Sequence, residues 1–199
     1  TRLNAPFSLL KISGVQTEIW EITKSGTDVL LSSSAGLLLL RNNEVTEITG
    51  QYNNCVRFLP GNNTTFLALG KGIVSVISRT SEGNYVIQKQ YDLGSEEVVR
   101  CGQVKQIGAN TDRFAIWCTT RFKEAIYIEL GISATYLKTQ KYTTRNGWET
   151  DNFYPLEIGD STYFLSDRNA LRYRPELDKT NTSVCFSKAG DIRNLFYSD

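Results

Sequence analysis

Histidine is absent from the 199 residues of the sequence, and this limits the chemistry that the chain can perform. Triads of the Ser-His-Asp or Cys-His type are excluded, and the commonest metal ligand is missing. The cysteines lie far apart and form no CxxC pair, which argues against a zinc or thioredoxin-like site. They are Cys55, Cys101, Cys118 and Cys185. We expect them to be small buried strand residues, with a disulfide in an oxidising compartment as the alternative. No catalytic residue, metal or cofactor is predicted.

Paired carboxylates could still hydrolyse a glycoside, because that chemistry needs only two acids at a set separation. The candidates are Glu96, Glu97, Glu149, Asp151, Glu157, Asp160 and Asp167. Most of them lie at turn-like positions, where acidic residues are expected on solvated faces. Gly70-Lys71-Gly72 lacks the rest of a phosphate-binding loop and is interpreted as a turn. We therefore expect a protein that is not an enzyme, and a carbohydrate-active enzyme is the less favoured alternative.

The elements that must position any site are strands, because no window keeps the apolar spacing of a helix. Short runs rich in Val, Ile, Leu, Thr, Tyr and Phe alternate with Gly, Asn, Asp and Ser. They recur in groups of four, as propeller blades do. The predicted blades are 17–49, 53–91, 97–142 and 152–187, with the start of a further blade at 190–199. Pro6–Ile12 is predicted as an additional strand before the first blade, and Ile192–Tyr197 as the first strand of the next.

The predicted fold class is therefore all-β, a β-propeller-type array of four-stranded antiparallel blades. About four blades plus terminal strands indicate part of a larger propeller. A sandwich or a barrel is the alternative, but neither predicts the internal repeat. In this arrangement Cys101 and Cys118 lie on neighbouring strands of the third blade. We expect them to be close in space without forming a bond.

Aromatic and arginine residues are the candidates for ligand binding, since loops on a rigid scaffold collect such contacts. Trp20 and Trp117 lie within predicted strands and are expected in the blade core. Trp148 has polar neighbours in the loop from Thr144 to Thr150 and is predicted to contact ligand. The other predicted ligand-binding residues, near the central channel, are Arg145, Arg57 and Tyr52.

Three stretches resemble the two-component regulator propeller repeats: Phe7–Trp20, Val29–Ile48 and Val56–Ile77. The Gly-Leu step of that family is matched by Gly36-Leu37 and, as Gly-Ile, by Gly72-Ile73. The family's usual Trp-x-Gly-Thr is replaced, for example by the Leu-Leu-Ser-Ser that ends at Ser33. The resemblance implies the extracytoplasmic sensor region of a bacterial signalling receptor, such as a hybrid histidine kinase. Citron-homology-type scaffold propellers, which also carry the Gly-Leu step, are the second resemblance.

The expected function is non-catalytic ligand sensing in a periplasmic or extracellular location, and an intracellular protein-binding scaffold is the alternative. The partner would be a small molecule, a glycan or a protein, and we also consider a homodimer. A net charge of +1 gives no reason to expect nucleic acid as a partner. The longest apolar run, Gly36–Leu40, is too short to span a bilayer, so a membrane contact is expected only through segments outside this chain. Because the sequence begins at Thr1 and contains no Met, we expect a mature form or an excised domain.

Overall fold

The computed structural model describes residues 15–109, 111–133, 135–180 and 183–189. Within these residues nearly all regular structure is β-strand. The strands are β1 (Ile19–Ser25), β2 (Asp28–Ser33), β3 (Gly36–Arg41), β4 (Glu44–Thr49), β5 (Asn53–Phe58), β6 (Thr65–Arg79), β7 (Tyr85–Gln106), β8 (Arg113–Thr120), β9 (Ala125–Gly131), β10 (Tyr136–Tyr142), β11 (Tyr154–Ile158), β12 (Ser161–Leu165), β13 (Ala170–Tyr173) and β14 (Phe186–Lys188). The strands predicted at Pro6–Ile12 and Ile192–Tyr197 lie outside the described residues.

The first four strands form an antiparallel meander in the order β1-β2-β3-β4, which we call blade 1. Within the first predicted blade the sequence predicts strands at Asp28–Ser33, Gly36–Arg41 and Glu44–Thr49, and β2, β3 and β4 have these bounds. The two-residue turn between β3 and β4 is Asn42-Asn43, with φ of 50° and 65°. A type I′ hairpin turn needs positive φ at both positions, and asparagine tolerates it better than most residues. The turn therefore sets the register that places Arg41 opposite Glu44.

Strand β6 is a hairpin and not a straight strand. Its first half pairs with β5 and its second half with β7. Fifteen extended residues would span about 50 Å, yet the Arg79 N–H donates to the Thr64 carbonyl at 2.8 Å, next to the start of β6. The chain reverses at Gly70-Lys71-Gly72, where Gly72 has φ of 74°. This confirms that the Gly-Lys-Gly segment is a turn.

Strand β7 runs from one four-stranded unit into the next. Its first part, Tyr85 to Asp92, pairs with β6, as does Glu97 through Lys71, and its second part, from Val98, pairs with β8. Gly94, with φ of 65°, lies between the two parts. The six hydrogen-bonded strands β5 to β10 therefore contain blade 2 (β5, the two halves of β6, and the first part of β7) and blade 3 (the second part of β7, then β8 to β10). Strands β11 to β14 form blade 4.

Apolar side chains pack between successive blades, because alternate residues of a strand point to opposite faces. In β6, Phe66 and Ala68 face blade 1, whereas Leu67 and Leu69 face blade 3. This gives a first core cluster between blades 1 and 2, a second between blades 2 and 3, and a third between blades 3 and 4. Burial of each aliphatic or aromatic side chain contributes about 1.5–3 kcal/mol, so these clusters hold the blades together. The all-β fold of antiparallel blades is thus confirmed.

The prediction that Cys101 and Cys118 are close in space is confirmed, because Cys101 on β7 lies directly opposite Cys118 on β8. All four cysteines are buried and have free thiols. Cys55, Cys101 and Cys118 lie in strands as predicted, whereas Cys185 directly precedes β14.

Helix is limited, in the described part of the chain, to two single 3-10 turns, Thr144–Asn146 and Pro175–Leu177. Neither turn has the length needed to cross a membrane.

Candidate functional site

The first strand of each blade lies next to the first strand of the blade that follows. Between blades 1 and 2, the Val56 N–H donates to Glu21 Oε2 at 2.9 Å. Between blades 2 and 3, Asn54 Nδ2 donates to the Val98 carbonyl at 2.6 Å. Between blades 3 and 4, a Cβ atom at Gly102 on β7 would lie 3.1 Å from the Pro155 side chain on β11, and Thr119 Oγ1 on the neighbouring strand β8 donates to the Phe153 carbonyl at 3.1 Å. The four blades therefore present their first strands on one shared concave side.

That side holds a cavity of about 620 Å³, here called the inner-strand pocket. A volume of this size is typical of small-molecule sites. The residues that form it come from all four blades: Trp20, Glu21, Tyr52, Asn54, Cys55, Arg57, Glu97, Val99, Arg100, Cys101, Thr120, Arg121, Asn152 and Tyr154. Two of the predicted site residues, Tyr52 and Arg57, are therefore brought together here.

Arg57 links three blades through its side chain, which lines the inner-strand pocket. Its Nη1 pairs with the carboxylate of Glu21 on β1. Its Nη2 donates to the Cys101 carbonyl at 2.8 Å, and its Nε donates to the Gly102 carbonyl at 3.1 Å. Burial alone would lower the pKa of Arg57, but its interactions with Cys101 and Glu21 raise it, so the guanidinium stays charged. Arg57 thus acts mainly as a positioning residue, since much of its donor capacity is used within the protein.

Tyr52, directly before β5, contributes an aromatic ring and a hydroxyl to the pocket wall. Its ring centroid lies 6.4 Å from that of Trp20. Burial raises the pKa of the Tyr52 phenol, while a hydrogen bond with Asn54 opposes the rise. The phenol therefore stays neutral at physiological pH and keeps its hydrogen-bond donor.

Trp20 is a pocket residue, so the prediction that it belongs to the blade core is wrong. It is 48% exposed. Apolar and polar residues alternate along β1, but this strand is the first of its blade, and the indole lies on the concave side. Tyr154, at the start of β11, is likewise 55% exposed. The pocket therefore has three accessible aromatic faces, those of Trp20, Tyr52 and Tyr154.

Two further arginines give the pocket its positive charge. The guanidinium carbon of Arg100 lies 3.9 Å from the ring centroid of Tyr154, within the range of a cation–π contact. Arg100 has no ion-pair or side-chain hydrogen-bond partner among the described residues. Arg121 is more exposed, and its Nη1 lies 3.3 Å from the Glu97 carboxylate. Arg100 is therefore the cation most available to a ligand.

Trp148 is buried, and the prediction that it is an exposed ligand contact is wrong. It is 2% exposed and belongs to the third core cluster. Its Nε1 donates to the Lys123 carbonyl at 2.7 Å, so its polar atom is also satisfied within the protein. The polar neighbours misled the prediction: they form a capped 3-10 turn at the surface, while the indole points inward. Arg145 lies exposed on that turn and is not part of the inner-strand pocket.

Sequence reasoning missed Trp20, Arg100, Arg121 and Tyr154 as site residues. One signal could have found Trp20 and Tyr154, because both lie on the first strand of a blade, which faces the centre of a propeller. Arg100 reaches the pocket because of the path of β7, and Arg121 because of the turn after β8. No local sequence pattern marks either arginine as a site residue. Tyr52 and Arg57 could be selected because Tyr52 directly precedes the first strand of blade 2 and Arg57 lies within it.

A second cavity, of about 660 Å³, lies between blades 3 and 4. Its polar groups are bound mostly to one another: Lys105 Nζ pairs with Glu157 at 2.5 Å, and Asp178 accepts from the hydroxyls of Tyr142 and Tyr173 at 2.6 Å. Burial and the Asp178 carboxylate raise the pKa values of both tyrosines. This cavity is therefore less suited to a polar ligand than the inner-strand pocket, which keeps Arg100 available.

No family model and no curated protein matches the sequence. Solved structures of β-propeller proteins do match the fold. The extracellular domain of a putative hybrid two-component system from B. thetaiotaomicron has a TM-score of 0.57 and 14% sequence identity, over 88% of this chain and 22% of that one. The periplasmic gluconolactonase of Pseudomonas aeruginosa has a TM-score of 0.52 and 10% identity, over 87% of this chain and 55% of the enzyme.

The chain therefore spans 22% of the first structure and 55% of the second. At these identities the likeness concerns the fold. The protein consists of antiparallel propeller blades and is similar in fold to part of an extracellular domain of a two-component system.

Proposed function

We propose that this chain is part of the ligand-sensing propeller of a bacterial signalling receptor, outside the cytoplasmic membrane, and that it binds its ligand without catalysis. The observation that carries the proposal is the inner-strand pocket. It joins three accessible aromatic faces to an arginine without a polar partner among the described residues. Residues of this kind on a rigid scaffold provide affinity and orientation.

The pocket chemistry favours a glycan or a related small polar molecule. The faces of Trp20 and Tyr52, and the side of the Tyr154 ring that Arg100 leaves uncovered, suit the flat apolar side of a sugar ring, and Arg100 suits a carboxylate or a hydroxyl oxygen. Both carboxylates that line the pocket are held by arginines: Glu21 by Arg57, and Glu97 by Arg121. This pairing favours recognition over acid–base chemistry, because a catalytic acid or base needs to reach the substrate.

The receptor assignment is supported by the similarity to the extracellular domain of the putative two-component system and by the resemblance of three stretches to sensor propeller repeats. A lactonase shares the same fold, so the fold alone does not select a function. The composition of the pocket supports a binding protein over an enzyme.

Tryptophan quenching by acrylamide tests the pocket directly, since Trp20 is 48% exposed and the two other tryptophans are 5% and 2% exposed. Acrylamide should quench one accessible fluorophore, and this component should disappear in Trp20→Phe. Neutral oligosaccharides and galacturonate oligosaccharides serve as probes. We expect one of these classes to protect Trp20 from quenching in a saturable manner.

Arg100→Ala is the matched test of the charged contact, and Arg145→Ala is its control on an exposed turn that does not line the pocket. Arg100→Ala should weaken binding of a protecting oligosaccharide at least about tenfold, in line with the loss of a charge-assisted hydrogen bond. Arg145→Ala should leave the affinity unchanged. If no oligosaccharide of either class protects Trp20 in the folded protein, the pocket is not a glycan site and the proposed ligand class is wrong.

A further inference from the structure

Three of the four cysteines meet beneath the inner-strand pocket. Cys101 and Cys118 are directly opposed residues of the antiparallel strands β7 and β8. Such residues have Cα atoms about 4.5–5.5 Å apart, and a disulfide requires about 4.4–6.8 Å. Both belong to the second core cluster, so their side chains lie on the same face of blade 3. The backbone already satisfies the main geometric requirement for a disulfide.

Cys55 adds a third thiol from blade 2. It belongs to the same core cluster as Cys101 and Cys118 and, like Cys101, lines the inner-strand pocket. We call these three residues the thiol triad. The Arg57 guanidinium donates to the Cys101 carbonyl. Cys101 thus shares one core cluster with two other cysteines and lies beside a fixed positive charge.

This environment favours ionisation of one thiol over the other two. Burial raises the pKa values of Cys55 and Cys118. Burial also opposes ionisation of Cys101, but hydrogen bonds from Cys118 and Cys55 and the charge of Arg57 together lower its pKa. A thiolate is the nucleophilic form of cysteine, and Cys101 is the member of the triad that both lines the pocket and lies beside the Arg57 guanidinium, so Cys101 is the most reactive of the three.

Access to the triad is through the inner-strand pocket. Cys55 and Cys101 are among the residues that line it, and Cys101 is 5% exposed. Cys118 and Cys185 are fully buried, and Cys185 lies in the third core cluster, away from the triad. Hydrogen peroxide is small enough to enter the pocket that Cys101 lines, whereas Cys185 lines neither of the two cavities described above.

We propose that Cys101 is a peroxide-reactive thiol that forms a disulfide with Cys118. The Cys101 thiolate attacks one oxygen of hydrogen peroxide, the O–O bond breaks, and sulfenic acid and hydroxide result. The Cys118 sulfur then attacks the Cys101 sulfur and forms the S–S bond. The hydroxide that leaves takes up the Cys118 proton as water. In total, the two thiols lose two electrons and two protons, and one hydrogen peroxide is reduced to two waters. The second water forms when the hydroxide from the first step takes up the proton that Cys101 released on ionisation.

This inference is independent of the proposed ligand. It depends on the register of β7 and β8 and on the position of the triad, and it stands whether or not the pocket binds a glycan. A sensor domain outside the cytoplasmic membrane would meet peroxide and other oxidants directly.

Peptide mapping tests the proposal in the folded wild-type protein. The protein is treated with hydrogen peroxide, denatured with N-ethylmaleimide present, and digested with trypsin without reduction. Each cysteine falls in its own tryptic peptide: 42–57, 101–105, 114–121 and 180–188. We expect a species that joins 101–105 to 114–121, two hydrogens lighter than the sum of the reduced peptides. The 180–188 peptide should remain labelled with maleimide.

Cys101→Ser and Cys185→Ser form the matched pair of variants. Cys101→Ser should abolish the disulfide and leave the 114–121 peptide labelled with maleimide, whereas Cys185→Ser should form the disulfide as the wild type does. Circular dichroism shows whether each variant folds. If Cys101→Ser does not fold, the time course in the wild type decides, because Cys101 must lose maleimide labelling before Cys185.

Three results would overturn the inference. The first is full labelling of Cys101 after peroxide treatment of the folded protein. The second is loss of Cys185 labelling at the same rate as Cys101, which indicates oxidation through unfolding. The third is a species that joins 42–57 to 101–105 in the wild type, which makes Cys55 the partner of Cys101 in place of Cys118.

Discussion

At the scale of single residues, Trp148 is held between blades 3 and 4 by phenylalanine rings. Its ring centroid lies 4.9 Å from those of Phe153 and Phe164 and 5.2 Å from that of Phe186. Aromatic pairs at these separations contribute about 0.5–1.5 kcal/mol beyond the area they bury. Trp20, by contrast, has one aromatic neighbour, Tyr52, and half of its surface faces the pocket.

Trp148→Ala should therefore lower the free energy of unfolding by about 3–5 kcal/mol, through the cavity it leaves and the unsatisfied Lys123 carbonyl. Trp20→Ala is the matched control and should cost less than about 1 kcal/mol, as expected for an exposed position. Urea denaturation followed by far-UV circular dichroism measures both. Equal losses for the two variants would contradict the burial assigned to Trp148.

Asp28 is the most deeply buried carboxylate of blade 1, with an exposed side-chain fraction of 0%. It accepts two hydrogen bonds from Arg41, at 2.7 and 2.6 Å, and one from the Tyr85 hydroxyl at 3.0 Å. The hydrogen bond from Arg41 lowers the pKa of Asp28 below its ordinary value of 3.8, and it outweighs the opposing effect of burial. The ionised carboxylate thus joins blade 1 to the first part of β7 in blade 2.

The stability of the wild type should therefore depend on pH through Asp28. A carboxyl whose folded-state pKa is depressed contributes stability that is present above 3.8 and is lost as pH falls through the folded-state pKa. Asp28→Asn should cost about 3 kcal/mol at pH 7, where it leaves buried donors and charge without their partner, and less below pH 3.8. Asp160→Asn, at an exposed turn, is the control. Urea denaturation midpoints at pH 7 and below pH 3.8 give the comparison for each variant. If Asp28→Asn lowers stability equally at both pH values, the ionised Asp28 carboxylate does not have this role.

At the scale of elements, the turn from β2 to β3 depends on Gly36. Gly36 has φ of 138°, and a Cβ atom there would lie 1.9 Å from the Thr49 carbonyl oxygen at the end of β4. Ser33 completes the turn, because its Oγ accepts from the Gly36 N–H at 3.1 Å and donates to the Gly36 carbonyl at 2.7 Å. The turn and the close approach of β4 therefore fix the third strand of blade 1.

Gly36→Ala should be more destabilising than Gly26→Ala by about 2 kcal/mol, the typical cost of forcing atoms into a filled space. Gly26 is a suitable control because it also has a positive φ, 62°, but a Cβ atom there would contact nothing within 4 Å. Both positions have positive φ, but other residues tolerate 62° far better than 138°, so the difference measures the clash together with the greater backbone strain at Gly36. Thermal unfolding should show the lower Tm for Gly36→Ala, and equal values would contradict the packing of β4 against this turn.

Strand positions were predictable where a turn and an alternating pattern occur together, as in β2, β3 and β4. The hairpin within β6 was also predictable, because Gly70 and Gly72 mark a turn. The continuity of β7 was not, since hydrogen bonding to two different blades depends on tertiary packing. The predictions of burial for Trp20 and of exposure for Trp148 were wrong for a related reason. The polarity of sequence neighbours reports the local chain, whereas burial depends on which face another blade covers.

At the scale of the whole molecule, Arg57 links three blades through hydrogen bonds to Glu21 on blade 1 and to two carbonyls on blade 3. Lysine cannot reproduce this geometry, because it lacks the planar fork of donors. Arg57→Lys should lower the free energy of unfolding by about 2 kcal/mol, the range expected for losing hydrogen bonds to a charged group. Arg145→Lys, on an exposed turn, should change it by less than about 0.5 kcal/mol. Chemical denaturation compares the two, and similar losses would argue against the inter-blade role.

Each core cluster draws its side chains from two adjacent blades, so cooperativity in this fold extends chiefly between nearest neighbours. A defect at one interface should spread to the two blades that share it and fade beyond them. Trp148→Ala should therefore accelerate amide hydrogen exchange in β8 to β14 and leave the slow amides of β2 and β3 protected. Mass spectrometry of exchanged peptides resolves these segments. Uniform acceleration would mean that the four blades open as a single unit. Graded acceleration would mean that one blade can respond while a distant blade keeps its structure.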